Sequence, residues 1–544
     1  MTETSASVNL NALDLTVAVI YLVGTVVVGF AVGRKRNTTS DQYFMGGRTL
    51  PWYVVATSMV ATVIATEHFV AQVGAAYARG IVIAAFGWNV WIVYTLLIWI
   101  FLPYYMRTGL YTMPEFLERR YNRWSRYIFA GVLTIGYVAS IIAGALYAGG
   151  LILQNMFGIN IVAAIFILGI VTGAYTIYGG LIASAWTDFL QMGVLIVAGL
   201  LVPVLGLIQI GGVSALISDV PQKFYLYHPP TDELFPWTGI FTGFLSIGIW
   251  YNCTSQHIVQ RCLAAKDEWH ARMGVVGAGF LHVFTPFLFT IPGIIAYRLY
   301  PNLSRPDDAY VVLVKALIPS GLRGVILAGM AAALMSTLST MINSTSTILT
   351  LDLYKRAWRP DASEAEQVAF GRWSGTAVLA AGILAACYYT MLQGRFLFVI
   401  IQGVFAYIAP PFAVLFTLGM LWRRANGTGA IATIAVGFPF SLALGTLILP
   451  HVDWLRPYNS YLHRALISWA FCMIVMIGVS LATPPPDAAR TDGIIWRPRY
   501  ALLPAHEQKL YGGWKDFRIW WALLVATCLG IHASLFWFQF IRHG

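Results

Sequence analysis

A multi-pass, all-α membrane fold is predicted by three features of this sequence. Only 10% of its 544 residues are charged while 58% are hydrophobic, whereas a soluble domain carries roughly 25% charged residues. Its apolar runs are long and unbroken, as over Ile161–Val171 and Met192–Ile208. Its basic residues fall mostly in short connections between those runs, the distribution that sets membrane topology. Backbone polar groups must be satisfied internally in lipid, which leaves helices or closed barrels. Barrel strands alternate apolar and polar, and these runs do not, so helices are expected.

The net charge of +11 would suggest a nucleic-acid partner in a soluble chain. Placed between apolar segments it reads as topology instead, so membrane lipid is the expected partner and nucleic acid is not. The five cysteines, Cys253, Cys262, Cys387, Cys472 and Cys528, lie in or beside apolar segments without C-x-x-C spacing. They read as small packing residues rather than a zinc or disulfide framework. Met1 to Asp14 hold no basic residue, and Arg34, Lys35 and Arg36 follow the first apolar stretch. That order is the reverse of a secretory signal and predicts an uncleaved first helix with its N-terminus outside.

Fourteen spanning helices are expected, at about 12–33, 52–77, 81–103, 127–153, 159–178, 184–211, 236–258, 271–300, 323–352, 372–391, 396–422, 428–449, 462–483 and 516–540. Each is long enough for the roughly 20 residues that a crossing needs. Polar residues interrupt the second helix at Thr62–His68, and Gly179-Gly180 separate the fifth from the sixth. The seventh carries a polar patch over 248–256, and the ninth is rich in hydroxyls. The polar stretch 300–322 reads as a connection with room for a short external helix. The stretch 484–515, with Pro484, Pro485 and Pro486, reads as a loop. With the N-terminus outside, most of the 34 basic residues fall on the cytoplasmic side, among them Arg34–Arg36, Arg119, Arg120, Arg126, Arg261 and Arg272. Both termini then face outward from a cell membrane, as in a bacterial inner membrane.

Fourteen helices form a single transmembrane domain that admits two five-helix units of opposite orientation. These are 52–211 and 236–424, preceded by a helix and cytoplasmic loop at 12–51 and followed by three helices in 425–544. Inverted repeats place a substrate site near the midplane, where the first helix of each unit is broken.

Four constellations could carry chemistry. Ala331 to Thr340, followed by Asn343–Thr347, packs hydroxyls into an apolar helix, with Ser336, Ser339 and Thr340 at i, i+3 and i+4 on one face. Such hydroxyls either ligate a hard cation such as sodium, which prefers oxygen, or bond backbone carbonyls and permit close packing. In Ala61–His68, a mid-membrane Glu67 costs about 3 kcal/mol on insertion scales and usually marks function. Thr62, Thr66, Val63 and Ile64 weaken the helix, and an unwound turn would release carbonyls from Ala61 and Ile64; a Glu67 packed against a neighbouring helix is the alternative. After Tyr175–Ala183, Asp188 reads either as a carboxylate in the first turn of a helix or as an acidic group on an ion path. The patch Gly248–Gln256 suits a helix break. His282 alone reads as a satisfied core residue, and Gln402, beside Gly403 and ahead of Pro410 and Pro411, as a cavity-lining one.

Two stretches, Tyr175-Thr176-Ile177-Tyr178-Gly179-Gly180-Leu181-Ile182-Ala183 and Gly419-Met420-Leu421-Trp422-Arg423-Arg424 running to Gly429-Ala430, match signature patterns of the sodium/solute symporter family. Ala331 through Asn343–Thr347 to Leu351-Asp352-Leu353-Tyr354-Lys355 resembles its sodium/sugar branch. So do Gly46–Trp52, Gly109–Phe116 and Gln260–Lys266. The resemblance covers nearly the whole chain.

It implies a leucine-transporter-type fold with five-plus-five inverted repeats and four further helices, and a secondary active transporter rather than an enzyme. Sodium would be the coupling ion and a small polar solute, a monosaccharide or sugar-like compound, the cargo. A first sodium site would comprise the carbonyls of Ala61, Ile64 and Ala333 with the hydroxyls of Ser336 and Thr337. A second would comprise Asp188, Ser336, Ser339 and Thr340. The solute positions would be His68, Phe86, Gly87, Gly248, Tyr251, His282, Phe398 and Gln402, with Gln72, Phe86, Phe398 and Tyr251 as gates. Gln402 and Tyr251 keep the galactose pattern of the branch. Gly248 stands in place of an Asn, Gly87 of a Glu, His282 of a Lys, His68 of a Gln and Gln72 of a Met. Loss of the Asn, the Glu and the Lys removes partners for sugar hydroxyls, so galactose itself is not implied. The rival readings are a proton-coupled carrier using Glu67 or Asp188, a carrier of a carboxylate, polyol or sialic-acid-like solute, and a membrane sensor with the same fold. No signalling segment is expected before Gly544. Neither a metal cluster nor a nucleophile–base motif supports a membrane enzyme.

Overall fold

The computed structural model describes residues 10–33, 39–391, 397–488 and 491–542, and for 397–404 the backbone alone. Arg34, Lys35, Arg36 and Arg490, which entered the topology argument, lie outside the described residues. Among the described residues the chain is helical, with two isolated β-bridges and no strand. Among the described residues, ten helices are long and apolar enough to cross a bilayer on their own. Followed through their interruptions, the helical segments cover the fourteen predicted spans, two of them within a single kinked run. The short helix foreseen within 300–322 is Ala309–Leu317.

The hydroxyl-rich helix Arg323–Ile348 is the axis of the molecule and is almost wholly buried. Ile161–Ile210 packs along it at small residues: a Cβ on Gly329 would sit 2.3 Å from the Ala198 methyl. Close backbone approach of this kind is how helices associate in lipid. The axis begins at a buried cap. Asp14 Oδ1, from Ala12–Gly33, accepts from the amides of Gly321 and Gly324 at 2.9 and 2.7 Å, which satisfies donors that a helix N-terminus leaves open. The outward face of Ala12–Gly33 presents Leu15, Val19, Ile20, Val23 and Val27 to the surroundings, as a lipid-facing helix should.

Two helices are broken where the chain was expected to break. Trp52–Val63 ends at Ile64, whose ψ of 103° leaves the helix, and the chain resumes through His68–Gln72 and Val73–Arg79. Trp237–Gly248 widens into the π turn Ile249–Thr254, breaks at Ser255 with ψ 133°, and resumes as Gln256–Leu263. The break lies at the far end of the polar patch, not at Gly248.

Three expectations need correction. The predicted helices 159–178 and 184–211 form one run, Ile161–Ile210, kinked at Gly180 (φ 59°, ψ −155°). A glycine takes this conformation at no steric cost, and a Cβ there would meet the Tyr43 carbonyl at 2.5 Å. Asp188 is therefore two turns beyond the kink and caps nothing. The span 271–300 divides at Thr290 into Glu268–Phe289 and Ile291–Leu299, where Pro292 lacks an amide donor. The loop 484–515 contains the helix Ala505–Leu510, whose Glu507 accepts from the amides of Glu268 and Trp269 at 3.3 and 2.7 Å.

Candidate functional site

The two polar segments singled out in the sequence meet. At the break, the Ala65 amide, which an uninterrupted helix would give to the Ala61 carbonyl, instead donates to His68 Nδ1 at 3.2 Å. Thr337 Oγ1 donates to the Thr62 carbonyl at 3.3 Å and to the Ala333 carbonyl at 3.1 Å. The Thr62 and Thr340 hydroxyls lie 2.9 Å apart. Beside them, Asp188 accepts from Ser336 Oγ at Oδ1 and from Ser58 Oγ at Oδ2, both at 2.6 Å, and Ser339 and Ser184 pair at 3.0 Å. Every one of these hydroxyls and the carboxylate is buried. The donor set is all oxygen, the chemistry a hard monovalent cation requires.

Arg261 also enters this cluster. Its Nη2 donates to Thr340 Oγ1 at 2.5 Å, Ser184 Oγ at 2.8 Å and Asp188 Oδ2 at 3.4 Å. Arg261 and Asp188 are both fully buried, so the carboxylate is neutralised inside the bundle, while Nε and Nη1 of Arg261 have no partner among the described residues. Arg261, expected among the cytoplasmic basic residues, is buried as a structural cation, as are Arg120, which donates to the Gly419 carbonyl at 2.6 Å, and Arg272, which donates to that of Ala501 at 2.7 Å. Helix ends leave carbonyls unsatisfied, and a guanidinium fork can serve them at depth; no spacing rule distinguishes such an arginine from a loop one.

Next to the first break is a cavity of about 180 Å³, below the ~300 Å³ at which drug-sized pockets begin. His68, Phe86, Gly248, Tyr251 and His282 line it, as does the expected gate Gln72. Gly87 does not. A Cβ there would lie 2.8 Å from the His282 carbonyl, so Gly87 lets two helices touch and offers no surface to a solute. The side chains of Phe398 and Gln402 lie outside the described residues. Glu67, Asn252 and Tyr461 also line the cavity and were not expected to. Glu67 had a signal, its charge within an apolar helix; Tyr461 had none.

A larger, solvent-open vestibule of about 740 Å³ adjoins the cavity and shares Ala75, Phe235 and Tyr461 with it. It opens among the connections that carry Thr231–Phe235, Pro306–Asp307 and Asp453–Asn459, the face assigned outside by the charge pattern. Within the cavity, the Phe86 ring is edge-on to Phe235, which both spaces share, and to Phe244, at 5.9 and 6.0 Å. The opposite end is closed by polar contacts. Gln260 Nε2 donates to Asn343 Oδ1, Thr347 Oγ1 and the Phe44 carbonyl at 3.1, 3.0 and 2.6 Å. Asp352 accepts from Thr112 Oγ1 at 2.8 Å and Arg126 Nε at 2.7 Å. Arg356 and Arg126 both reach Glu118, at 2.6 Å.

Broken helices crossing an oxygen-rich cluster, with a small, mainly apolar cavity that holds a few polar groups and opens to one side, define a secondary transporter caught facing one way. Solved structures share this fold. A sodium-coupled sialic acid symporter in a substrate-bound outward-open state superposes with a TM-score of 0.78 at 22% identity, over 88% of this chain and all of that one. MHP1, a nucleobase-cation-symport-1 family transporter, superposes at 0.57 and 14% identity, over 84% and 98%. The fold is thus the leucine-transporter type. The chain belongs to the sodium:solute symporter family, whose model matches residues 43–437. Rabbit sodium/glucose cotransporter 1 is 32% identical over 530 residues, covering 88% of this chain and 80% of the relative. The mouse sodium/myo-inositol cotransporter is 32% identical over 543 residues, covering 89% and 75%. The protein is a multi-pass membrane carrier of a small-molecule solute, coupled to sodium, and not an enzyme.

Proposed function

We propose that this protein accumulates a sugar-like solute together with sodium by alternating access. The observation that carries the proposal is the contact of Thr337 Oγ1 with the Thr62 carbonyl, which brings the broken helix and the hydroxyl helix together beside the cavity. Sodium binds first to the carbonyls of Ala61, Ile64 and Ala333 and the hydroxyls of Ser336 and Thr337. By holding the two helices together it favours the outward-facing state, because an ion shifts an equilibrium only through differential affinity. Solute then enters past Phe86 and rests among His68, Tyr251 and His282. Closure over Gln72 and Phe86 and release of the Glu118 and Asp352 contacts complete the cycle. Asp188, Ser336, Ser339 and Thr340 form a second sodium site once the Arg261 guanidinium turns away. The units 52–211 and 236–424 are the inverted repeats that rock against each other, in a bacterial inner membrane with both termini outside.

The driving force is adequate. One charge moved through about 100 mV releases about 2.3 kcal/mol and a tenfold sodium ratio about 1.4 kcal/mol. Together these support roughly 500-fold accumulation per ion. The kinship with glucose and myo-inositol cotransporters supports the solute class. Purified protein in proteoliposomes tests the reading: uptake of labelled glucose or myo-inositol should need an inward sodium gradient. Equal uptake with choline in its place, or uptake driven by a pH step alone, would overturn it in favour of proton coupling through Glu67.

A further inference from the structure

We infer that Glu67 restricts the solute site to neutral compounds that offer adjacent hydroxyls, a sugar or polyol, and turns away anionic ones. The inference rests on the transport reading above and narrows its substrate.

Glu67 is the one acidic group among the described residues that line the cavity, and neither lysine nor arginine lines it there. Arg261, the buried cation of the neighbouring cluster, is engaged with Asp188, Ser184 and Thr340. Among the described residues the Glu67 carboxylate has no hydrogen bond or ion pair. Glu67 is half-buried against the cavity, so an occupant that displaces its water must supply donors in return.

The histidines say which donors fit. His68 Nδ1 accepts from the Ala65 amide, so the neutral ring carries its proton on Nε2 and needs an acceptor. His282 is 8% exposed and, among the described residues, its Nε2 has no partner, yet it lines the same cavity. A hydroxyl both donates and accepts. Two on adjacent carbons can donate to the carboxylate while their lone pairs take the histidine donor. An ammonium group satisfies Glu67 but offers nothing to His68. A carboxylate on the solute repels Glu67: two like charges about 4 Å apart, at an effective dielectric near 20, disfavour binding by about a thousandfold. A sialic-acid-like solute is thereby excluded.

The test is a panel of four labelled probes in proteoliposomes under an inward sodium gradient: D-glucose, myo-inositol, D-glucuronate and D-glucosamine in neutral buffer. At least one neutral probe should be accumulated, with glucuronate at least a hundredfold poorer in kcat/KM and glucosamine poorer than its neutral parent. Glu67→Gln, which keeps the shape and removes the charge, should shrink the glucuronate penalty to below tenfold without moving the sodium concentration for half-maximal uptake. Sodium-driven uptake of glucuronate or glucosamine as fast as the neutral probes overturns the inference and leaves symport standing. An unchanged penalty in the variant does the same. Should the variant fail to reach the membrane, the wild-type ranking decides. Absence of sodium-dependent uptake for both neutral probes removes the symport reading and this inference together.

Discussion

Ser336 Oγ lies 2.6 Å from Asp188 Oδ1, and both groups are fully buried. The contact joins the axial helix to the kinked Ile161–Ile210. It also joins the two proposed sodium sites, since Ser336 belongs to both. Its neighbours extend the link: Ser58 holds the other carboxylate oxygen, and Thr337, one residue on, touches the broken helix at Thr62.

Ser336→Ala removes a proposed sodium ligand and strips Asp188 of a donor. An orphaned buried acceptor costs about 1–3 kcal/mol, which is roughly tenfold to a hundredfold in affinity. The sodium concentration for half-maximal uptake should rise by that factor while protein abundance holds. A wild-type sodium titration curve in the variant would reject Ser336 as a ligand.

Asp188→Asn leaves the Arg261 charge buried without its counter-ion. Removing one partner of a buried pair costs about 3–5 kcal/mol, so this variant should unfold at a clearly lower temperature in detergent. Adding Arg261→Gln should recover much of the loss, and a double-mutant cycle without coupling would show that the pair is not the cause. In Asp188→Asn protein that still transports, the Hill slope for sodium should fall to one. A slope equal to that of the wild type argues against the second site.

The fold was legible because its dominant signals are one-dimensional. Apolar runs of membrane length give the spans, and polar interruptions such as Thr62–His68 and Gly248–Gln256 give the breaks. The hydroxyl series from Ser336 to Thr347 likewise marked the axial helix, since its density inside an apolar segment has few uses. What stayed hidden depends on partners far apart in the chain. Arg261 looked like a loop cation because only the approach of Asp188 and Thr340, 73 and 79 residues away, makes its burial tolerable. Gly180 looked like a helix end because a Gly pair serves as a cap as readily as a kink. Gly87 was placed in the solute site by resemblance, whereas the approach of the His282 carbonyl gives it a packing role.

Gly87→Ala tests that packing role. The new methyl would lie 2.8 Å from the His282 carbonyl and 3.2 Å from Thr285 Oγ1, and backbone cannot move as a flexible side chain does. The Glu268–Phe289 helix should shift and carry His282 with it. The KM for solute should rise about tenfold or more with little change in sodium dependence, the scale of a 1–3 kcal/mol overpacking cost. Unchanged KM and thermal stability would show that the two helices are free to separate.

Glu118 sits outside the membrane-spanning segments, on the sealed face. Burial tends to raise its pKa, but hydrogen bonds from Arg356 and Arg126 outweigh burial and hold the carboxyl below its ordinary range. A depressed carboxylate stabilises the folded arrangement fully above its unfolded pKa, about 4.3, and loses that contribution as pH falls through the lower folded value. At neutral pH the latch is therefore fully charged, and Glu118 should contribute no pH dependence to uptake between about pH 6 and 8. Glu118→Gln should mimic strong acid at any pH. With the latch weakened, the inward-facing state gains population, so accessibility of a cysteine placed at Thr347 to a membrane-impermeant thiol reagent added from the sealed side should rise. The apparent sodium affinity from the vestibule side should fall in the same variant, because the state that binds the ion from that side is less populated. Unaltered labelling and unaltered sodium affinity would mean that Gln260 and Asp352 hold the sealed end without Glu118.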